Sequence, residues 1–152
     1  MNNEPSFPSP AETGIFFDSE EVDFRLEDEG LVISWLEGLI QRENCRLHCL
    51  NFIFCSDDYL LQLNIGYLQH DTLTDIITFP YAEPPVVEGD IFISLDRIRE
   101  NAQTYQVSFE QELHRVMAHG VLHLCGYGDK TEAEAALMRK KEDEALECRS
   151  PK

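Results

Sequence analysis

His119-Gly120-Val121-Leu122-His123-Leu124-Cys125-Gly126-Tyr127-Gly128-Asp129 is the stretch on which the reading of this chain turns. Ser108 with Gln111 forms a capping-box pattern that opens a helix running to Leu124, and Gly126 ends it. On that helix His119 and His123 lie one turn apart, so both imidazoles leave the same face. Such a pair reaches a single Zn²⁺ at about 2.0–2.1 Å. Gly126 and Gly128 tolerate positive φ, and a turn there can carry Asp129 onto the open side of the same ion. Two imidazoles and one carboxylate form a three-ligand site whose fourth position is left to water. Two rivals for the third ligand point elsewhere: on helical spacing Cys125 lies roughly 200° around the axis from His123, and His114 about 140° from His119. In H-E-x-x-H proteases the Glu after the first His is the general base. Gly120 holds that place, so a protease reading lacks its base.

Outward from this helix, the periodicities alternate between strand and helix. Val32, Trp35, Leu36, Leu39 and Ile40 form the stripe of an amphipathic helix over Leu31–Gln41. Leu47–Cys55 reads as a buried strand, after which Ser56 caps a helix through Tyr67 with Leu60, Leu63 and Tyr67 on one face. Thr74–Pro80 and Gly89–Ser94 read as further strands, and Ile15-Phe16-Phe17 as the start of another. A helix with Leu95, Ile98, Ala102 and Tyr105 on one side follows, and Thr131 with Glu134 starts a charged terminal helix. Residues 1–12, rich in Pro, Ser and Glu, read as a loose arm. The expectation is one α+β domain spanning 1–152, with a small mixed sheet and about five helices.

Composition narrows the function classes. Twelve basic against 29 acidic residues give a net charge of −17, which argues against a generic binder of nucleic acid or anionic membrane. No apolar run approaches the ~20 residues of a membrane span. The N-terminus shows neither the basic nor the apolar region of a secretory signal, so a soluble cytoplasmic protein is expected. Cys45, Cys49, Cys55, Cys125 and Cys148 are odd in number and irregularly spaced, which suggests free thiols used mainly in packing.

His-Gly-Val-Leu-His-Leu-Cys-Gly-Tyr over 119–127, with Asn64-x-x-Tyr67, Thr74–Pro80 and Gly89–Ser94 in the same order, resembles the YbeY family of metal-dependent endoribonucleases, also called rRNA maturation factors. The resemblance covers roughly residues 30–147. It implies a compact α+β fold with one zinc ion, cleavage of single-stranded RNA, maturation of the 16S rRNA 3′ end and ribosome quality control. The first two metal-binding His of the family fall on His119 and His123. The family's usual third ligand is a His ten residues after the first, a position held here by Asp129. Most members carry an Arg after the aromatic residue of the Asn-x-x-aromatic motif, where this chain has Leu68.

The other polar residues are weighed against that background. Arg115, one turn before His119, is a catalytic candidate that could supply the positive charge missing at Leu68, weighed against the plainer reading of a solvated helix Arg. His70 and Asp71 read as loop caps, and Asp75 and Asp90 as strand-end carboxylates that anchor turns. Zinc on His119, His123 and Asp129 would activate a metal-bound water, or polarise a phosphate oxygen while the 2′-OH attacks. The residues do not choose between these, and none identifies itself as the general base. The alternative is a non-catalytic ribosome-assembly factor with a structural zinc. With so few basic residues, delivery of the RNA by the ribosome or a protein partner is expected.

Overall fold

The computed structural model describes residues 13–68 and 74–149, in which the periodicities become four strands and five helices. The arm at 1–12, His70, Asp71 and the side chain of Leu68 lie outside the described residues. In chain order the elements are β1 (Gly14–Ser19), α1 (Glu29–Arg42), β2 (Arg46–Cys55), α2 (Asp57–Leu63), β3 (Ile76–Pro80), β4 (Val86–Ser94), α3 (Leu95–Tyr105), α4 (Phe109–Leu124) and α5 (Glu132–Glu147). The sheet order is β1-β2-β4-β3, with β1, β2 and β4 parallel and β3 antiparallel at one edge. This is the expected α+β architecture with a mixed sheet.

Side-chain alternation along β2 and β4 sorts the core into two layers. Leu50, Phe52, Phe54, Ile91 and Ile93 face a large layer closed by α1 and α4. Ile53, Cys55, Ile77 and Phe92 face the opposite side, where Leu60 of α2 covers them. The α1 stripe Val32, Trp35, Leu36, Leu39 and Ile40 is buried throughout, and the Trp35 indole N–H donates to the Ala145 carbonyl at 2.8 Å, joining α1 to α5.

The helix α4 fixes the position of the histidines. The Ser108 hydroxyl accepts from the Gln111 N–H at 3.0 Å, and Leu113, Met117, Val121 and Leu122 bury the sheet-facing side. A Cβ on Gly120 would stand 2.8 Å from Ile91 Cδ1 and 3.0 Å from Ile76 Cδ1. The glycine next to His119 therefore has a packing cause: it lets α4 settle close onto β3 and β4. Against α4 lies α5, opened by a reciprocal capping box of Thr131 and Glu134.

Several local expectations are corrected. The second helix stops being α-helical at Leu63 and continues as a π-helical turn over Asn64–Leu68, so Tyr67 leaves the core face and is 72% exposed. Tyr105, at the last turn of α3, is 56% exposed, not on the buried stripe of Leu95, Ile98 and Ala102. Asp90 lies within β4 and not at its end. It accepts from Asn51 Nδ2 at 3.0 Å and from the Tyr81 hydroxyl at 2.7 Å. Gly126 does adopt a positive φ of 114°, but Gly128 does not: its need is space, since a Cβ there would stand 2.9 Å from Glu134 Oε1. The five cysteines are free thiols. Among the described residues no helix is long and apolar enough to cross a membrane.

Candidate metal centre

The last two turns of α4 and the glycine turn after it bring His119, His123 and Asp129 together. The imidazole centroids are 4.6 Å apart, and Asp129 Oδ2 lies 3.3 Å from His119 Nε2 and 3.2 Å from His123 Nε2. One ligand atom from each residue lies within 4.8 Å of the others, the one such group of three His, Cys or carboxylate residues among the described residues.

The hydrogen bonds on the far side of each ring decide what this cluster can hold. His123 Nδ1 is 2.8 Å from the Tyr127 carbonyl oxygen, which only accepts, so Nδ1 donates there and Nε2 is the atom turned toward Asp129. His119 Nδ1 lies 2.6 Å from Glu142 Oε2, and donation to that carboxylate likewise leaves Nε2 as the atom facing Asp129. Two imidazole Nε2 atoms then meet one carboxylate oxygen. That arrangement needs either extra protons or a cation between them, and the donor set, two nitrogens and an oxygen open to solvent, suits zinc or a similar divalent ion.

Both rings are braced from behind, as metal-binding imidazoles usually are. Glu142, 6% exposed, takes Arg115 Nη1 on its other oxygen at 3.0 Å, and Arg115 Nη2 reaches Asp143 at 2.7 Å. The Tyr127 hydroxyl donates to Glu43 Oε1 at 2.6 Å, and Lys141 Nζ is 3.3 Å from Glu43 Oε2, so the turn that supplies the carbonyl for His123 is held by Glu43, just past the end of α1, and through it by α5. Burial opposes a charge on His119, but the Glu142 hydrogen bond and the charges of Glu142, Asp129 and Asp75 outweigh it and move the His119 pKa upward.

The structure thus gathers His119, His123 and Asp129 and separates them from the two rival ligands. His114 is buried against Trp35, with Arg149 Nη1 2.8 Å from its Nδ1. Cys125 packs beside Cys45, and burial pushes its thiol pKa up. Arg115 shares the His face as expected, but its guanidinium is joined to Glu142 and Asp143. Asp75 sits just before β3 in a recess that also reaches His119. Glu142 and Glu43 were missed by sequence reasoning. Glu142 carried a usable signal: with Met138 and Ala145 it lies on the buried stripe of α5, where a carboxylate needs a partner.

Fold and cluster together define a class: an α+β protein with a three-ligand candidate metal site at the end of its central helix. The sequence pattern of the family described as Endoribonuclease YbeY matches residues 15–149. A relative from Amoebophilus asiaticus (strain 5a2) called Endoribonuclease YbeY is 54% identical over 129 residues, which cover 84% of this chain and 88% of that protein. One of the same name from Flavobacterium psychrophilum is 52% identical over 126 residues, covering 83% and 90% of the two chains. The solution structure of TM1509 from Thermotoga maritima superposes with a TM-score of 0.63 at 28% identity, covering 88% of this chain and 87% of that one. The chain belongs to the YbeY family.

Proposed function

We propose that this protein is a zinc-dependent endoribonuclease specific for single-stranded RNA, acting in the cytoplasm on 16S rRNA 3′-end maturation and ribosome quality control. The observation that carries the reading is the convergence of two imidazole Nε2 atoms and one carboxylate oxygen on a single solvent-facing point. Membership of a family whose relatives carry the name endoribonuclease supplies the reaction class.

His119, His123 and Asp129 are the residues that would hold the ion. When bound, a divalent ion supplies Lewis acidity toward water or a phosphate oxygen there. The chain's own residues orient that chemistry. Glu142 keeps the His119 proton on Nδ1, the Tyr127 carbonyl does the same for His123, and both nitrogens stay turned to solvent. Arg115 acts at one remove, as the partner that neutralises Glu142 behind His119.

The test is cleavage of unstructured RNA by purified protein, with and without chelator, beside elemental analysis of the same sample. Chelator-sensitive cutting together with about one zinc per chain supports the reading. Stoichiometric zinc without cutting favours the alternative, an assembly factor with a structural ion.

A further inference from the structure

A recess of about 200 Å³ opens beside His119, between the start of β3, the end of α3, α4 and α5. Ile76 and Val116 form apolar walls, and Tyr105 stands at the rim. Glu112 lines the recess at only 4% exposure, and its carboxyl group makes no hydrogen bond or ion pair with any described side chain. Asp75 lies near enough to add repulsion: burial first, then the Asp75 charge, moves the Glu112 pKa upward against the opposing charges of Arg115 and Arg139. The Glu112 oxygens are not sealed in, since among the described residues the one buried side-chain oxygen without a partner is Asn51 Oδ1; they open on the recess, where the N–H groups of a ligand can reach them.

The surroundings select among ligands with donors. A second divalent ion needs three converging ligand atoms, and among the described residues the only such group is His119, His123 and Asp129. A nucleobase needs apolar contact on its faces and polar partners on its edge, which is what Ile76, Val116, Tyr105 and Glu112 offer. Guanine presents N1–H and N2–H side by side, a match for the two oxygens of one carboxylate. Uracil offers one N–H between two carbonyl oxygens that the carboxylate repels. The phosphate side is served by Arg139, which lines the same recess, is 62% exposed, and has a 4.0 Å contact with Glu142.

We propose that this recess is a guanine subsite: the nucleotide next to the cut phosphate places its base between Tyr105 and the Ile76–Val116 wall, Glu112 accepts from N1–H and N2–H, and Arg139 meets the sugar-phosphate at the mouth. The inference rests on the RNA-cutting reading for what the neighbouring cluster does, but the base contact itself is measurable without cutting.

Zinc-loaded protein is given a single-stranded RNA of randomised sequence and the cut ends are sequenced. Guanine is expected at one position adjoining the cut, favoured over uracil by roughly tenfold to a hundredfold, the range of a good bidentate base contact. Inosine, which lacks the N2 amino group, should lose most of that preference in the unmodified protein, and Glu112→Gln should lose it while binding zinc normally. In parallel, guanosine and uridine 5′-monophosphates are titrated into the protein by NMR. Cutting without base preference, or equal use of guanosine and inosine, overturns the proposal even if Glu112→Gln fails to fold. If the protein cuts nothing, guanosine-selective binding that Glu112→Gln abolishes upholds the subsite and sinks the nuclease reading alone. Equal binding of the two nucleotides sinks the subsite.

Discussion

Glu142 offers the sharpest test of how the centre is built, because one buried carboxylate serves two partners at once. Its Oε2 stands 2.6 Å from His119 Nδ1 and its Oε1 3.0 Å from Arg115 Nη1. Glu142→Gln keeps the volume but offers one oxygen and one amino group to two donors. If the amide oxygen faces His119, the NH₂ meets the guanidinium; if it is turned round, His119 loses its acceptor. Either way one charge-assisted hydrogen bond, worth about 1.5–3 kcal/mol, becomes a donor–donor contact. Loss of an outer partner of this kind typically lowers metal affinity about 10–100-fold, which is about 1.4–2.7 kcal/mol of binding free energy. The assay is competition for Zn²⁺ against a chromophoric chelator near pH 7.5, beside thermal melts with and without zinc. The melting gain from zinc should shrink along with the affinity. A folded Glu142→Gln protein with unchanged zinc affinity would refute the reasoning, since it would mean that His119 is oriented without its carboxylate.

Three further outcomes follow from particular contacts. Asp129→Ala should lose zinc and RNA cleavage together while Asp129→His retains the metal, and full zinc occupancy in Asp129→Ala by elemental analysis would remove Asp129 from the site. Gly120→Ala forces a Cβ against Ile91 and Ile76; overpacking of about 1–3 kcal/mol against a helix-propensity gain of about 1 kcal/mol predicts a net loss near 1 kcal/mol, read as a lower urea midpoint. The Glu112 pKa is raised on folding, so its share of stability falls as pH climbs from the ordinary carboxylate range through the raised value. Glu112→Gln should therefore gain in thermal stability over the parent at neutral pH, and the gain should fade in acid; a constant offset across pH would contradict the raised carboxyl pKa.

How much of this was legible in the sequence depended on whether the cause was local. The stripe of α1, the Ser108 cap and the Thr131–Glu134 capping box appear where expected, because each is set by neighbours within a few residues. The pairing of His119 with His123 was readable for the same reason. Helix ends were less so: nothing in the residues after Leu63 announces that the next turn widens to a π-helix, which moves Tyr67 out of the core. Register was hidden too, and with it the place of Asp90, whose partner Asn51 comes from a strand 39 residues earlier. The role expected of Arg115 required knowing what stands opposite it. Shared-face geometry placed it correctly on α4, but the carboxylates that take its charge arrive on α5, 27 and 28 residues later.

That arrival on α5 also explains why a centre with so much negative charge around it is chemically coherent. Glu142, Asp129 and Asp75 together favour a positive charge at His119, and a proton on Nε2 satisfies them as well as a metal ion does. The same field that attracts a divalent cation therefore attracts its competitor, and the two exclude each other, because an imidazole nitrogen that carries a proton cannot ligate. A third imidazole in the place of Asp129 would weaken both tendencies. With the carboxylate, a His₂Asp set holding a divalent ion would carry a net charge of about +1 instead of +2, so less charge would remain to draw phosphate. Arg115 does not make up the difference, since its charge is balanced by Glu142 and Asp143. On the proposed function, in a chain of net charge −17, the attraction for RNA at this centre would then rest on the proposed base contact, on the exposed Arg139, or on delivery by a partner.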